Sequence, residues 1–150
     1  MNTTEFLNIA PAICPDITAL VFESKRYTFA QLNERANRLA NTLKNMGAKK
    51  GDVIAFLQVN CNQCVETYFA SAKIGGIYLP LNFRVKEKEL IYMLNTAEAK
   101  YLIVGDRYTA LVDSIRTELH YLKHVIAIEK PYSDMLFYED IIKKSSADVV

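Results

Sequence analysis

VIAFLQV, residues 53–59, is apolar at every position except Gln58. A run of that length without alternation predicts a strand covered on both faces, the habit of strands in a parallel sheet. The residues downstream fit the same pattern. Asn60 or Asn62 is placed to cap a helix that carries Val65, Phe69 and Ala72 and ends at Gly75-Gly76. IYLPL, residues 77–81, predicts the next strand, and Pro80 assigns it to an edge or a strand end. A helix is expected from about Lys86 to Leu94, with Leu90, Ile91 and Leu94 facing inward. YLIV (101–104) predicts a strand, Gly105-Asp106 the opening of a helix from Arg107 to about Glu118, HVIAI (124–128) a strand, and YEDIIKK (138–144) a short helix.

Upstream, TALVFESKRYTF (18–29) reads as two short strands around a polar turn at Ser24-Lys25. Thr28 with Gln31 forms a capping box, and Tyr27 is set to staple onto Leu32. Leu32, Ala36, Leu39, Ala40, Leu43 and Met46 then recur at helical spacing, with Gly47 as the C-terminal cap. Residues 1–15, with Pro11 and Pro15, read as a lead-in, and residues 144–150 as a tail or linker. Strands alternating with amphipathic helices predict one α/β segment over residues 1–150. Its sheet is mostly parallel with flanking helices and right-handed crossovers, and a short β-hairpin precedes it.

Composition narrows the function. Of the 150 residues, 51% are hydrophobic, enough for a sizeable core. Eighteen basic and 17 acidic residues give a net charge of +1, and RVKEKEL (84–90) mixes both signs. Such a balance creates no field that would hold nucleic acid or an anionic membrane. Three cysteines in a chain whose start lacks a basic and then apolar leader predict a reduced, cytoplasmic protein. No apolar run approaches the roughly 20 residues of a membrane helix.

Several motifs could carry chemistry. VNCNQCVE (59–66) contains Cys61 and Cys64 in Cys-x-x-Cys spacing at a strand-to-helix turn, where a helix N-terminus lowers a thiol pKa. No aromatic-Cys-Gly-Pro context surrounds them, and packing is the simpler role. His120 and His124 have finger-like spacing, but they lie much further from Cys64 than the roughly 12–15 residues of a compact zinc finger. The five glycines, Gly47, Gly51, Gly75, Gly76 and Gly105, form neither G-x-G-x-x-G nor G-x-x-x-x-G-K-[ST]. No G-x-S-x-G elbow is present. The chain therefore offers no catalytic residue, no metal ligand set and no complete nucleotide cradle. PLNFRVKEKEL (80–90) puts Asn82 and Arg84 in the loop after a strand, where open α/β sheets meet ligands, and an arginine fork suits a phosphate oxygen.

Taken in order, residues Tyr27 to Val104 resemble the start of AMP-forming acyl-CoA synthetases of the adenylate-forming superfamily. The shared pattern is Tyr-Thr-Phe-x-x-Leu at 27–32, the Asn-containing helix and Leu-x-x-x-Gly at 43–47, and Gly-Asp-x-Ile-Ala at 51–55. It continues with Val-x-Asn opening a helix, then Lys-x-Gly-Gly-x-Tyr-Leu-Pro-Leu-Asn-x-Arg at 73–84 and Glu-Leu at 89–90. A looser match extends to FYEDII at 137–142. The resemblance implies a parent enzyme that uses ATP, Mg2+ and CoA to activate a carboxylic acid, with fatty acids the expected class. It also implies that Arg84 lies against the 3′-phosphate of CoA. The family's Ser/Thr/Gly-rich phosphate loop, Tyr-Gly-x-Thr-Glu segment, ribose-binding Asp, hinge and C-terminal lysine are not found in this sequence. The expected role is an inactive scaffold whose partner is the remainder of a ligase chain, with a homo-oligomer as a further possibility. The alternatives are a stand-alone binding or oligomerisation module and a thiol–disulfide protein using Cys61 and Cys64.

Overall fold

The structure, a computed structural model, describes residues 3–150. At its centre lies β3 (Val53–Leu57), paired in parallel with β4 (Ile77–Pro80) on one side and β5 (Tyr101–Val104) on the other. β6 (His124–Ala127) and β7 (Leu136–Phe137) extend the sheet, giving the order β4-β3-β5-β6-β7 with every pair parallel. A separate antiparallel hairpin, β1 (Thr18–Phe22) and β2 (Lys25–Thr28), precedes it. The expected α/β class, with a parallel sheet, flanking helices and an N-terminal hairpin, is what the chain forms.

The strand pleat sorts the core into two layers. Ile54 and Phe56 of β3 point the same way as Tyr101, Ile103 and Ile126. They meet α2 (Phe29–Asn45), α3 (Asn62–Lys73) and α6 (Tyr138–Lys143) through Leu39, Leu43, Ala70 and Ile142. Ala55 and Leu57 join Leu102, Val104, Val125 and Ala127 on the other face. That face is covered by α4 (Glu87–Thr96) and α5 (Asp106–Ser114) through Leu90, Leu94, Tyr108 and Val112. Each fully buried aliphatic side chain contributes about 1.5–3 kcal/mol, so both layers are needed to offset chain entropy.

Local signals act as the sequence predicts. Thr28 Oγ1 accepts the Gln31 N–H at 3.2 Å while Gln31 Oε1 accepts the Thr28 N–H at 2.9 Å. Gly47 ends α2 at φ +90°, a conformation that glycine adopts without Cβ strain. The N–H groups of Gly47 and Ala48 return to Lys44 and Leu43 carbonyls. Pro80 lies at the end of the edge strand β4.

Elsewhere the chain departs from expectation. The lead-in expected over residues 1–15 holds a helix, α1 (Thr3–Ile13), despite Pro11; residues 1 and 2 lie outside the described residues. Leu7 anchors it in a small cluster with Leu32 and Ala36, so packing overrides the proline signal. The hairpin turns at Glu23-Ser24, one residue earlier than expected, with Glu23 at φ +52°. The N-cap of α3 is Cys61 rather than an asparagine. The helix expected to reach Glu118 stops at Ser114 and gives way to a 3-10 turn, Arg116–Glu118. β7 was not anticipated. The segment after α6 docks on α2: Asn37 and Asn41 side-chain amides donate to the Ala147, Ser146 and Asp148 carbonyls at 3.0 Å, and Arg38 donates to Ser145 O at 2.6 Å.

One ionic cluster clasps three helices. Glu66 of α3 has 0% exposure. Its carboxylate accepts from Arg35 Nε of α2 at 2.8 Å, from Asn62 Nδ2 at 2.7 Å and from the Tyr138 hydroxyl of α6 at 2.8 Å. Arg35 also forks onto Glu139 at 2.6 and 3.1 Å. Burial pulls the Arg35 pKa down, but hydrogen bonds to Glu139 and Glu66 outweigh it and raise the value. Burial, reinforced by Glu66, pushes the Tyr138 phenol upward, so it stays a donor.

Arg35→Met leaves Glu66 buried without its cation and is expected to cost about 3–5 kcal/mol in urea unfolding. The double variant Arg35→Met, Glu66→Leu should recover most of that loss; a single variant as stable as wild type would contradict the clasp. A second outcome concerns pH. Burial raises Asp52, but its 2.6 Å bond to Lys100 and the Lys49 N–H hold it below the usual carboxylate range; Glu139 is lowered likewise because Arg35 outweighs its burial. Their unfolded pKa values are about 4. The stability they contribute is therefore complete above that value and lost as pH falls through the lower folded values. Urea midpoints should decline on acidification below about pH 4, and Asp52→Asn should flatten the decline.

Candidate functional site at the carboxyl edge of the sheet

The chain leaves β3 for β4 on one side, then returns across to β5 on the other. The crevice between the carboxyl ends of β3 and β5 is thus the topological switch point, where open α/β sheets bind ligands. Here the protein fills that crevice itself. Gln58 follows β3 and its amide bonds the carboxylate of Glu129, which lies just past β6. The second oxygen of Glu129 accepts the Asp106 N–H at 2.7 Å, at the first turn of α5. A helix N-terminus favours an anion through its free N–H groups and dipole, and Glu129 supplies that anion from within the chain. Gly105 leaves room for the approach, because a Cβ there would push the side-chain amide of Gln58 aside. Lys130 adds an ion pair to Asp106 at 3.1 Å.

Beside the switch point is a cleft of about 460 Å³ whose walls include Lys25, Arg35, Cys61, Asn62 and Glu129. Cys61 and Cys64 are half-buried and both free. Burial pushes the Cys61 thiol up to about 11, although backbone N–H groups of Cys64 and Gln63 pull the other way. That shift is opposite to what a thiol catalyst needs. Cys64 Sγ lies 3.1 Å from the Tyr78 hydroxyl, a packing contact with the neighbouring strand. His124 stacks on Tyr101 at 5.4 Å, while His120 is exposed. The described residues contain no group of three or more His, Cys, Asp or Glu that could hold a metal ion.

Arg84 lies where the sequence puts it, in the loop beyond β4. Asn82 Oδ1 accepts the Arg84 N–H at 2.9 Å, and the Tyr108 hydroxyl donates to Phe83 O at 2.8 Å, tying the loop to α5. The guanidinium carbon stands 5.1 Å from the centroid of the Phe83 ring. Arg84 is exposed and opens onto a groove of about 670 Å³ with Lys86, Lys88 and Tyr92 along its walls. It makes no ion pair among the described residues. The sequence puts Arg84 in this loop but does not reveal the pairing of Gln58 with Glu129 or the Glu66 clasp. The only sequence signal for the clasp is Asn62 four residues before Glu66, a spacing that puts both on one helix face.

These features define an open, doubly wound α/β unit with one carboxyl-edge crevice closed and one loop exposed. The AMP-binding enzyme family profile matches residues 9–148. The chain belongs to that family, and its homologues are CoA ligases of the adenylate-forming superfamily. It is 32% identical over 129 residues to a 3-oxocholest-4-en-26-oate–CoA ligase of Rhodococcus rhodochrous, covering 86% of this chain and 23% of the relative. It is 34% identical over 128 residues to a long-chain-fatty-acid–CoA ligase of Thermus thermophilus, covering 85% and 24%. Among solved structures, an anthranilate CoA ligase in complex with anthranoyl-AMP superposes with a TM-score of 0.95 at 29% identity, covering 99% of this chain and 29% of that one. The chain thus spans about a quarter of the length of these curated relatives. No helix among the described residues is long and apolar enough to cross a membrane.

With its thiol pKa raised, Cys61 is expected to react with iodoacetamide at about pH 7 more slowly than a free cysteine, and the rate should climb as pH rises toward 11. A plateau reached below about pH 8 would restore the thiol-enzyme reading.

Proposed function

We propose that this chain is the N-terminal portion of an ATP-dependent carboxylic acid–CoA ligase that acts through an acyl-adenylate. In that reaction a carboxylate oxygen attacks the α-phosphorus of ATP and pyrophosphate leaves. The CoA thiol then attacks the acyl carbon, and AMP departs. Fatty acids are the proposed substrate class, a reading supported by the similarity to the Thermus thermophilus ligase. The proposed setting is the cytoplasm.

The observation that carries the division of labour is the self-filled switch point. An adenylate-forming site must hold the charged oxygens of ATP with preorganised donors. In this chain Glu129 occupies the α5 N-terminus, and the sequence has no glycine-rich phosphate loop. These residues do not fit ATP with Mg2+, so gripping them is assigned to the remainder of the ligase, and the isolated chain is an inactive scaffold. Arg84 does fit the 3′-phosphate of CoA: it is exposed, fork-shaped and held by a tied-down loop.

An exposed apolar stripe gives the scaffold a contact face. Phe6, Ile9 and Ile13 recur at helical spacing on α1, and Ile13 is 76% exposed. The proposed occupant is the remainder of the ligase, and a second copy of this chain is the alternative.

The pure chain with MgATP and palmitate is expected to release no pyrophosphate; turnover would refute the scaffold assignment. It should bind CoA more tightly than dephospho-CoA, which lacks the 3′-phosphate, and Arg84→Ala should abolish the difference. Equal binding of the two ligands by wild type would remove the role of Arg84. Sedimentation at rising concentration separates the two occupants of α1, since a persistent monomer excludes self-association.

A further inference from the structure

A small pocket of about 260 Å³ opens at the amino ends of β6 and β7, the end of the sheet opposite to the Arg84 loop. Arg116 lines it from the 3-10 turn after α5, Lys123 and His124 from the start of β6, and Ser133 and Asp134 from the turn before β7. Val125 and Met135, both buried, give it an apolar side together with Leu136. The turn is tight, since the Met135 N–H returns to the Tyr132 carbonyl at 3.4 Å.

Arg116 is the group that calls for an explanation. Its Nη1 is buried and has no hydrogen-bond partner among the described residues. A guanidinium carries donors only, and a covered donor without an acceptor costs the desolvation of that group. Arg35 and Arg38 show the usual outcome, each bonded to a glutamate. Two acids stand near Arg116. Asp134 lines the pocket and is exposed. Asp113 lies outside the lining; burial and then Asp134 raise its carboxyl, while Arg116 pulls it down. Neither acid forms an ion pair with Arg116.

Charge and size define what the pocket can take. In formal charge at pH 7, Arg116 and Lys123 outweigh Asp134 by one, with His124 neutral. A monoanion balances that excess, whereas the second charge of a dianion would face Asp134 uncompensated. A planar carboxylate matches the guanidinium fork, and the Ser133 hydroxyl adds a neutral donor. The volume falls below the roughly 300–1,000 Å³ of sites for drug-sized ligands, so the ligand is short.

We propose that this pocket binds a short aliphatic monocarboxylate: its carboxylate pairs with the Arg116 guanidinium, Lys123 and Ser133 donate to the same group, and the alkyl end rests on Val125 and Leu136. These residues have no part in the proposed ligase chemistry, so the two readings stand or fall separately.

The test is a titration of the isotope-labelled 150-residue chain with sodium butyrate, followed through backbone amide shifts, with sodium chloride holding the ionic strength constant. Shifts at Arg116, Lys123 and Ser133 are expected to reach half-saturation below about 10 mM. Arg116→Gln should weaken binding about tenfold or more, and Lys123→Ala, at an exposed position, about threefold. Butyramide, which has the same shape without the charge, and inorganic phosphate should each bind at least about threefold more weakly than butyrate. The amide spectrum of each variant reports whether it is folded. Absence of saturation by wild type up to about 50 mM butyrate overturns the site. Equal binding of butyramide, or unchanged butyrate binding by folded Arg116→Gln, overturns it too. Should Arg116→Gln not fold, Lys123→Ala decides, and unchanged binding by that variant overturns the proposal. Phosphate binding as tight as butyrate overturns the carboxylate assignment. Binding that arises only in Asp134→Asn identifies Asp134 as the partner of Arg116 and also overturns the proposal.

Discussion

Burial of β3 on both faces is the constraint on which the rest of the molecule depends. A strand with Ile54 and Phe56 on one side and Ala55 and Leu57 on the other needs two layers of cover. A register slip of one residue would send both sets to the wrong layer, so the pairings with β4 and β5 are fixed by packing as well as by hydrogen bonds. Because both neighbours run parallel, the chain must cross over a face of the sheet after each strand. α3 takes one face, and α4 and α5 the other. The Glu66 clasp then sets how α2, α3 and α6 sit on their shared layer, since a buried carboxylate with three donors allows little freedom to slide.

The same topology aims the strand ends at one edge, and the two loops there behave in opposite ways. Between β3 and β5 the polar groups satisfy one another: Gln58 bonds Glu129, and Glu129 bonds the first turn of α5. That closes the place where many open α/β sheets receive a phosphate. Past β4 the loop is pinned from behind by Asn82 and Tyr108, but Arg84 faces outward without a protein anion among the described residues. A stiff loop carrying an unpaired fork donor is preorganised for an external anion, which lowers the ordering cost of binding.

Elements whose stability is local were legible in the sequence. α2 carries its own capping box, a regular apolar stripe and a terminal glycine, and all appear as expected. The continuous apolar run at 53–57 has strand length, and that length favours a two-sided strand over a buried helix. What could not be read depends on neighbours distant in the chain. α1 contains a proline, and Leu7 stabilises it only because Leu32 and Ala36 are waiting. The two residues of β7 have no strand signal apart from β6 beside them. The tail docks through amides of Asn37 and Asn41, residues that read as ordinary polar positions on a helix. At the edge of the sheet, the strand-end rule placed Arg84 in the loop after β4. It could not show that Lys88 and Tyr92 line the same groove, nor that Glu129 reaches back to α5, since both are facts of three-dimensional placement.

Occupation of the α5 N-terminus by the chain's own carboxylate is the point on which the proposed scaffold role turns. A titration of the isotope-labelled chain with MgATP, followed through backbone amide shifts, tests it most directly. The Asp106, Arg107 and Tyr108 amides are expected to stay in place at millimolar nucleotide. Saturable shifts at those three amides would contradict the closed site.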